Sequence, residues 1–188
     1  MRIGLLGGTF DPPHVAHMAV AEAAFRQLGL DAVWLVPAGS PWQKEGSVVT
    51  SAEDRWGMTV AAVEGRPYMK GDDREVVRPG PTYTFDTVSG LADHEVTLIL
   101  GADAASRIAS WHRSAELQGM VTIAVAPRTG TEPDAVEEAV ITRVKWLDIP
   151  QLDISGTDLR KRAGTGRSLR FLVPEGVWRY IEAHGLYR

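Results

Sequence analysis

Gly7-Gly8-Thr9-Phe10-Asp11-Pro12-Pro13-His14-Val15-Ala16-His17 is the stretch on which the reading of this chain turns. Before it, Met1-Arg2-Ile3-Gly4-Leu5-Leu6 is a short apolar run bounded by glycine, which predicts a buried strand. After it, Met18, Ala21, Phe25 and Leu28 recur near helical spacing and predict a helix from about Val15 to Leu28. The stretch is therefore a strand-to-helix turn. Gly7 and Gly8 carry no Cβ, so the backbone can bend sharply there and a ligand can approach main-chain N–H groups. The helix start points N–H donors and a partial positive charge at the same spot, which makes it a phosphate seat. Two imidazoles fall where phosphates would lie, His14 at the helix entrance and His17 about one turn in.

Other readings of the turn are weaker. The glycines alone fit any tight turn. His14 and His17 could ligate zinc, but the chain has no cysteine and no carboxylate nearby beyond Asp11. A dinucleotide-binding fingerprint needs Gly-x-Gly-x-x-Gly, and here the glycines fall at Gly4, Gly7 and Gly8. A Walker P-loop is excluded, because no Gly-Lys pair occurs in the chain.

Gly8-Thr9-Phe10-Asp11-Pro12-x-His14-x-x-His17 resembles the signature of the nucleotidyltransferase superfamily with an N-terminal His-x-x-His phosphate site. The doubled glycine and the Phe-Asp-Pro run are most similar to its nicotinate-nucleotide adenylyltransferase branch. Most relatives carry glycine between the two histidines. This chain has Ala16, a small, good helix former that should be tolerated there.

Composition agrees with an ordinary globular chain. At 188 residues it is expected to form a single domain, 1–188, with the segment 150–188 packed on the rest. It is 44% hydrophobic and 23% charged. A net charge of −4 argues against nucleic acid as a partner. No run approaches the ~18 apolar residues of a membrane span. Without cysteine, a basic-apolar leader, repeats or low-complexity tracts, the expected compartment is the cytoplasm. A homo-oligomer stays open.

Strand and helix signals alternate along the chain. Gly29 reads as a helix C-cap, and Asp31 to Val36 as a second strand. The loop Pro37-Ala38-Gly39-Ser40-Pro41-Trp42-Gln43-Lys44 follows, with Lys44 its one cation. Ser51-x-x-Asp54 opens a helix as a capping-box variant. Arg55 on it either faces the site or makes a surface ion pair. One or two short strands should lie between Pro67 and Val77. Thr82 or Thr84 could cap a helix running to about Asp93. Glu95 to Leu100 has the near-continuous apolar run of a central parallel strand and ends at Gly101-Ala102-Asp103. Asp103 there suits ribose hydroxyls, a share in holding a metal, or a helix N-cap. Met120 to Ala126 reads as a strand, Pro127 to Ala139 as a loop into a surface helix, and Val144 to Ile149 as an added strand. Ser155 or Thr157 caps the next helix. From Ser155 to Arg170, Arg160, Lys161, Arg162, Arg167 and Arg170 face a single acidic residue, Asp158. That local reversal of sign suggests a second anion seat. Val173 to Gly185 reads as a packing helix with Pro174 in its first turn, and not as a site.

The resemblance adds roles to these positions. It implies ATP-binding residues Gly7, Gly8, Thr9, Phe10, Gly101, Asp103, Ser155, Thr157 and Arg160. It implies that Lys44, Thr84, Trp111 and His112 bind nicotinate mononucleotide. It implies that His14, His17, Lys44 and Arg160 carry the chemistry. Ile154-Ser155-Gly156-Thr157-x-x-Arg160 is similar to the family's second phosphate motif, where relatives often have a second serine in place of Gly156. Trp111-His112 is similar to the aromatic pair that packs on the pyridine ring and offers backbone N–H groups to a carboxylate, which favours the acid over the amide.

The expected fold is α/β, a doubly wound parallel sheet of the Rossmann-like nucleotidyltransferase type. The expected reaction is adenylyl transfer from ATP to nicotinate mononucleotide in NAD biosynthesis, with Mg²⁺ carried by ATP and no protein-built metal cage. The rivals are a pantetheine-phosphate adenylyltransferase, a cytidylyltransferase and a non-catalytic nucleotide-binding module.

Overall fold

The computed structural model describes residues 1–39 and 50–188. Its elements alternate as expected: β1 (Arg2–Gly8), α1 (Val15–Leu28), β2 (Ala32–Pro37), α2 (Ala52–Val63), β3 (Met69–Gly71), α3 (Thr84–Ser89), β4 (Glu95–Gly101), α4 (Ala102–Ala105), a 3-10 turn (Ile108–Ser110), α5 (Ser114–Met120), β5 (Thr122–Ala126), α6 (Pro133–Ala139), β6 (Val144–Trp146), α7 (Gly156–Gly164) and α8 (Glu175–His184). The strands form one six-stranded parallel sheet in the order β3-β2-β1-β4-β5-β6. This is the order of a doubly wound α/β sheet, with its switch point between β1 and β4. The end of β1 leads straight into the His-x-x-His turn.

Backbone contacts divide the chain into two compact units. The first comprises Met1–Gly7, Ala19–Trp34 and Tyr83–Asp153. Within it β1, β4, β5 and β6 pair in parallel, with Leu5 opposite Leu98 and Leu98 opposite Ile123. Both of its longest strands bury their consecutive central residues, 3–6 in β1 and 96–100 in β4, as strands covered on two faces must. The α1 end is closed by Gly29 at φ +59°, the left-handed conformation that glycine adopts without a steric penalty. Asp31 then pins the start of β1, its carboxylate accepting from the Arg2 N–H at 2.7 Å.

The second unit comprises Gly8–Met18, Leu35–Thr82 and Ile154–Arg188. Its apolar core is Met58 and Ala62 of α2 with Leu159, Leu169, Val173, Val177 and Ile181. Two glycines let α2 and α8 approach closely. A Cβ on Gly57 would lie 2.5 Å from the Tyr180 ring, and one on Gly176 would lie 2.8 Å from the Ala61 carbonyl. The expected packing role of the last helix is therefore observed.

Four local expectations change. The strand β1 runs through Gly8, so the chain does not turn at the glycine pair. The reversal falls at Phe10, whose φ is +50° and whose ring is buried to 1% exposure. Neither Thr82 nor Thr84 caps α3. Tyr83 holds the cap position without a side-chain hydrogen bond, and Thr84 is the first helical residue. Asp103 is not a cap either: Gly101 occupies that position before α4, and Asp103 sits inside the first turn. Pro174 caps α8 instead of lying in its first turn.

Candidate active site

In the second unit, the turn 8–18 is held by three sets of hydrogen bonds. The first is internal to α1. The His14 N–H donates to His17 Nδ1 at 3.2 Å, while the His14 carbonyl accepts from the Met18 N–H at 3.3 Å. His14 is thus the N-cap, and His17 reaches back to it from the third helical position, as the glutamate of a capping box would. An acceptor at Nδ1 leaves the proton of the neutral ring on Nε2, so His17 presents an N–H donor. The two imidazoles stack at 3.7 Å between centroids, and Phe10 meets His17 edge-on at 4.9 Å. These contacts give the His17 ring a defined orientation. The Val15 N–H donates to the Leu172 carbonyl at 3.1 Å, so that donor of the first turn serves the fold.

The second set comes from Arg55, which is buried to 2% exposure. Its Nη1 donates to the Thr9 carbonyl at 3.1 Å and to the Ala38 carbonyl, its Nη2 to the Gly39 carbonyl at 2.7 Å and its Nε to the Thr50 carbonyl at 3.3 Å. The side chain therefore neither lies on the surface nor makes a surface ion pair. It cross-links the turn to the backbone after β2. Burial pushes its guanidinium below the ordinary arginine value, and the negative charge of Asp11 opposes that shift.

The third set centres on Asp11, buried to 3% exposure. Its Oδ1 accepts from Thr50 Oγ1 at 2.7 Å and from the Tyr187 hydroxyl at 2.6 Å. Its Oδ2 accepts from the Thr50 N–H at 3.3 Å and lies 3.7 Å from Arg160 Nη1. The same Nη1 donates to the Asp11 carbonyl at 2.7 Å. Through these bonds the His14-x-x-His17 turn and the start of α7, remote in sequence, share one buried hub.

The second motif starts α7. Ser155 is its N-cap, accepting from the Asp158 N–H at 3.1 Å and donating its hydroxyl proton to Asp158 Oδ2 at 2.6 Å. The choice between Ser155 and Thr157 as the cap thus falls to Ser155. Thr157 lies in the first turn, exposed, with its Oγ1 3.4 Å from Arg160 Nη2. Gly156 has a steric reason. A Cβ there would sit 2.9 Å from the Asp11 carbonyl oxygen and 3.3 Å from Arg160 Nη1. Gly156→Ser should therefore displace the Asp11–Arg160 contact and not add a phosphate ligand. The expected result is a rise of about threefold to tenfold in the Kd for ATP, read by calorimetric titration, with a drop in Tm of a few degrees. Tighter ATP binding by the serine variant would show that the backbone yields there at little cost.

The first unit holds the other expected residues. Tyr83 stacks on His112 at 4.4 Å between centroids with 29° between planes, and Phe85 meets His112 at 6.4 Å and 78°. The Arg113 guanidinium lies 3.8 Å over Phe85. Trp111, half-buried, closes the 3-10 turn and precedes the exposed His112. Asp103 pairs with Arg128 at 3.2 Å, and a Cβ on Gly101 would lie 2.8 Å from Asp103 Oδ1. Thr84 is half-buried at the start of α3, one residue from the Tyr83 stack. Gly7, at the end of β1, has open space where a Cβ would be. Lys44 lies outside the described residues.

A cytidylyltransferase-like family model matches residues 5–162. Over its whole length the chain is 40% identical to a protein of Salinibacter ruber, covering 98% of it, and 42% identical to one of Exiguobacterium sibiricum, covering 99% of it. Both are named "Probable nicotinate-nucleotide adenylyltransferase". The chain belongs to the nicotinate-nucleotide adenylyltransferase family.

For this adenylyltransferase-family chain the fold likeness extends to solved structures. Plasmodium falciparum nicotinic acid mononucleotide adenylyltransferase complexed with NaAD superposes with a TM-score of 0.82 at 19% identity, covering 99% of this chain and 97% of that one. The same enzyme complexed with APC gives 0.81, covering 99% and 96%. Among the described residues no helix is long and apolar enough to cross a membrane.

One residue that holds this turn escaped the sequence reading: Tyr187 lies beyond the last recognised motif, and no spacing links it to residues 8–18. Arg55 stands out in the sequence, but nothing there shows the carbonyls that it binds.

Proposed function

We propose that the chain transfers the adenylyl group of ATP to nicotinate mononucleotide, giving nicotinate adenine dinucleotide and pyrophosphate. The observation that carries this reading is the joint anchoring of His14-x-x-His17 and the α7 start by Asp11, with Arg160 touching the Asp11 carbonyl at 2.7 Å. Family membership supports it independently.

The acceptor's own phosphate is the nucleophile. One of its oxygens forms a bond to the α-phosphorus of ATP in line with the bond to the β-bridging oxygen, which breaks, and its electron pair leaves on pyrophosphate. The attacking phosphate is already ionised at pH 7, so no general base and no covalent intermediate is required. Positioning and charge stabilisation then supply the rate. His17, donating from Nε2, stabilises charge growing on the transferring phosphate, and His14 backs its ring. Thr157, Arg160 and the N-terminal end of α7 hold the β,γ end and the departing pyrophosphate. Ser155 orders that end as its cap. Lys44 bridges the phosphates of the two substrates. Gly7, Gly8, Thr9, Phe10, Gly101 and Asp103 form the remaining ATP contacts. Thr84, Trp111 and His112 receive the nicotinate moiety, with the Tyr83 stack fixing the His112 ring.

Imidazole N–H groups, hydroxyls and a guanidinium suit phosphate oxygens, and Mg²⁺ prefers carboxylate, phosphate and water oxygens to any of them. Among the described residues no group of three or more His, Cys, Asp or Glu side chains converges as a metal cage. A Mg²⁺ ion would be held by the oxygens of ATP, and no step above runs through it.

The test is pyrophosphate release with ATP and Mg²⁺, offering nicotinate mononucleotide, nicotinamide mononucleotide or phosphopantetheine in turn. Release with the acid alone is expected. Release with phosphopantetheine would keep the transfer chemistry and overturn the acceptor. No release with any acceptor would leave a nucleotide-binding module.

A further inference from the structure

We infer that Tyr187, the penultimate residue, is a positioning residue of the polyphosphate site: its hydroxyl holds Asp11 so that Arg160 stays available to the triphosphate. The inference rests on the reading that Arg160 binds the β,γ end of ATP.

Asp11 is a carboxylate with almost no access to water. Such a group must have its oxygens satisfied by protein donors. Tyr187 and Thr50 together supply Oδ1 with two short O–H donors, at 2.6 and 2.7 Å. Oδ2 has longer contacts, the Thr50 N–H at 3.3 Å and Arg160 Nη1 at 3.7 Å. Arg160 is therefore the nearby donor able to shift onto Asp11 if one of the short ones is lost. With both hydroxyls in place its Nη1 binds the Asp11 carbonyl and its Nη2 lies beside Thr157. Remove the Tyr187 hydroxyl, and the carboxylate draws the guanidinium inward, away from an anion.

The tail is built for this contact. Tyr187 takes a left-handed backbone, φ +65°, which costs a non-glycine residue some strain. Its ring packs against the core of α2, α7 and α8, and its hydroxyl lies 3.6 Å from the Met58 sulfur. Burial, with the Asp11 hydrogen bond second, holds the phenol protonated far above its ordinary value, so it acts as a donor at every working pH.

Tyr187→Phe removes the hydroxyl and keeps the ring. ATP affinity is measured by calorimetric titration, and steady-state constants are measured for both substrates. The Kd and KM for ATP are expected to rise about fivefold to tenfold, while the KM for nicotinate mononucleotide stays within about twofold. In an Arg160→Ala background, Tyr187→Phe should add no further loss of ATP affinity, because the two act in series. Thr50→Val, which removes the other Oδ1 hydroxyl, should reproduce the same ATP-selective change and serves if the phenylalanine chain does not fold. A role in stability alone would lower Tm and leave the ATP constants unchanged, and that result overturns the inference. So does an equal further loss in the Arg160→Ala background. The titration needs no acceptor. A wild-type chain that binds ATP but releases no pyrophosphate would sink the adenylyl-transfer reading, and the variants would still decide the role of Tyr187.

Discussion

His17→Ala is expected to lower kcat/KM for adenylyl transfer by about a hundredfold to a thousandfold, the range seen when one oriented donor to developing charge is lost. The argument is geometric. His17 accepts from the His14 N–H at Nδ1, stacks on His14 and is flanked by Phe10, so its Nε2–H has a set direction before substrate arrives. A donor ordered in advance costs nothing to organise in the transition state. The same substitution removes the side-chain acceptor of an N-terminal helix donor, worth about 1 kcal/mol. For a chain of this size that is a fall in Tm of about 2–4 °C. The signature is therefore a large kinetic loss beside a small thermal one, read by pyrophosphate release and by circular dichroism melting. Near-normal turnover would remove His17 from the chemistry. A collapse of Tm would instead make it a fold residue.

Arg55→Met should do the reverse, with its largest effect on stability. Methionine can fill the buried volume, but it offers no donors to the Thr9, Ala38, Gly39 and Thr50 carbonyls. Leaving buried acceptors unmet is expensive, and the total loss is expected to be about 3–5 kcal/mol. Urea unfolding at pH 7 should show it as a lower midpoint at unchanged slope, and melting as a fall of roughly 10 °C. Arg55→Lys should recover only part of the loss, because an ammonium cannot match a planar fork spread over several carbonyls. A methionine variant melting within about 2 °C of the parent would mean that those carbonyls find other donors. Activity should fall with stability, since Thr9 lies in the same turn as the histidines.

Much of this was legible in the residues. The strand and helix types follow from period and turn chemistry. Helix α1 spans Val15–Leu28 as its apolar spacing predicts. Ser51 caps α2 as the Ser-x-x-Asp pattern predicts, with its Oγ accepting from the Asp54 N–H at 2.9 Å. These are local signals, settled within a few residues. The misreadings were local too, but each turned on backbone conformation. Phe10 and not the glycine pair makes the reversal, and Tyr83 and not a threonine stands at the α3 cap. Side-chain identity only biases such choices, and packing decides them.

Gly156 shows the other limit. As a letter in a motif it looks like a missing hydroxyl. In the fold it is the place where the α7 start lies against the Asp11 carbonyl, with no room for a Cβ. Arg55 likewise reads as either a site-facing residue or half of a surface ion pair until four carbonyls surround it.

From its sequence alone this chain can be read as a doubly wound α/β protein with two phosphate motifs, because period, caps and motif spacing are all written within short windows. Only the tertiary structure decided what holds those motifs. Arg160 meets the Asp11 carbonyl across 149 positions, and Tyr187 meets the Asp11 carboxylate across 176. Contacts of that range leave no periodic trace in a single sequence. They arise because a buried carboxylate must gather its donors from wherever the fold brings them.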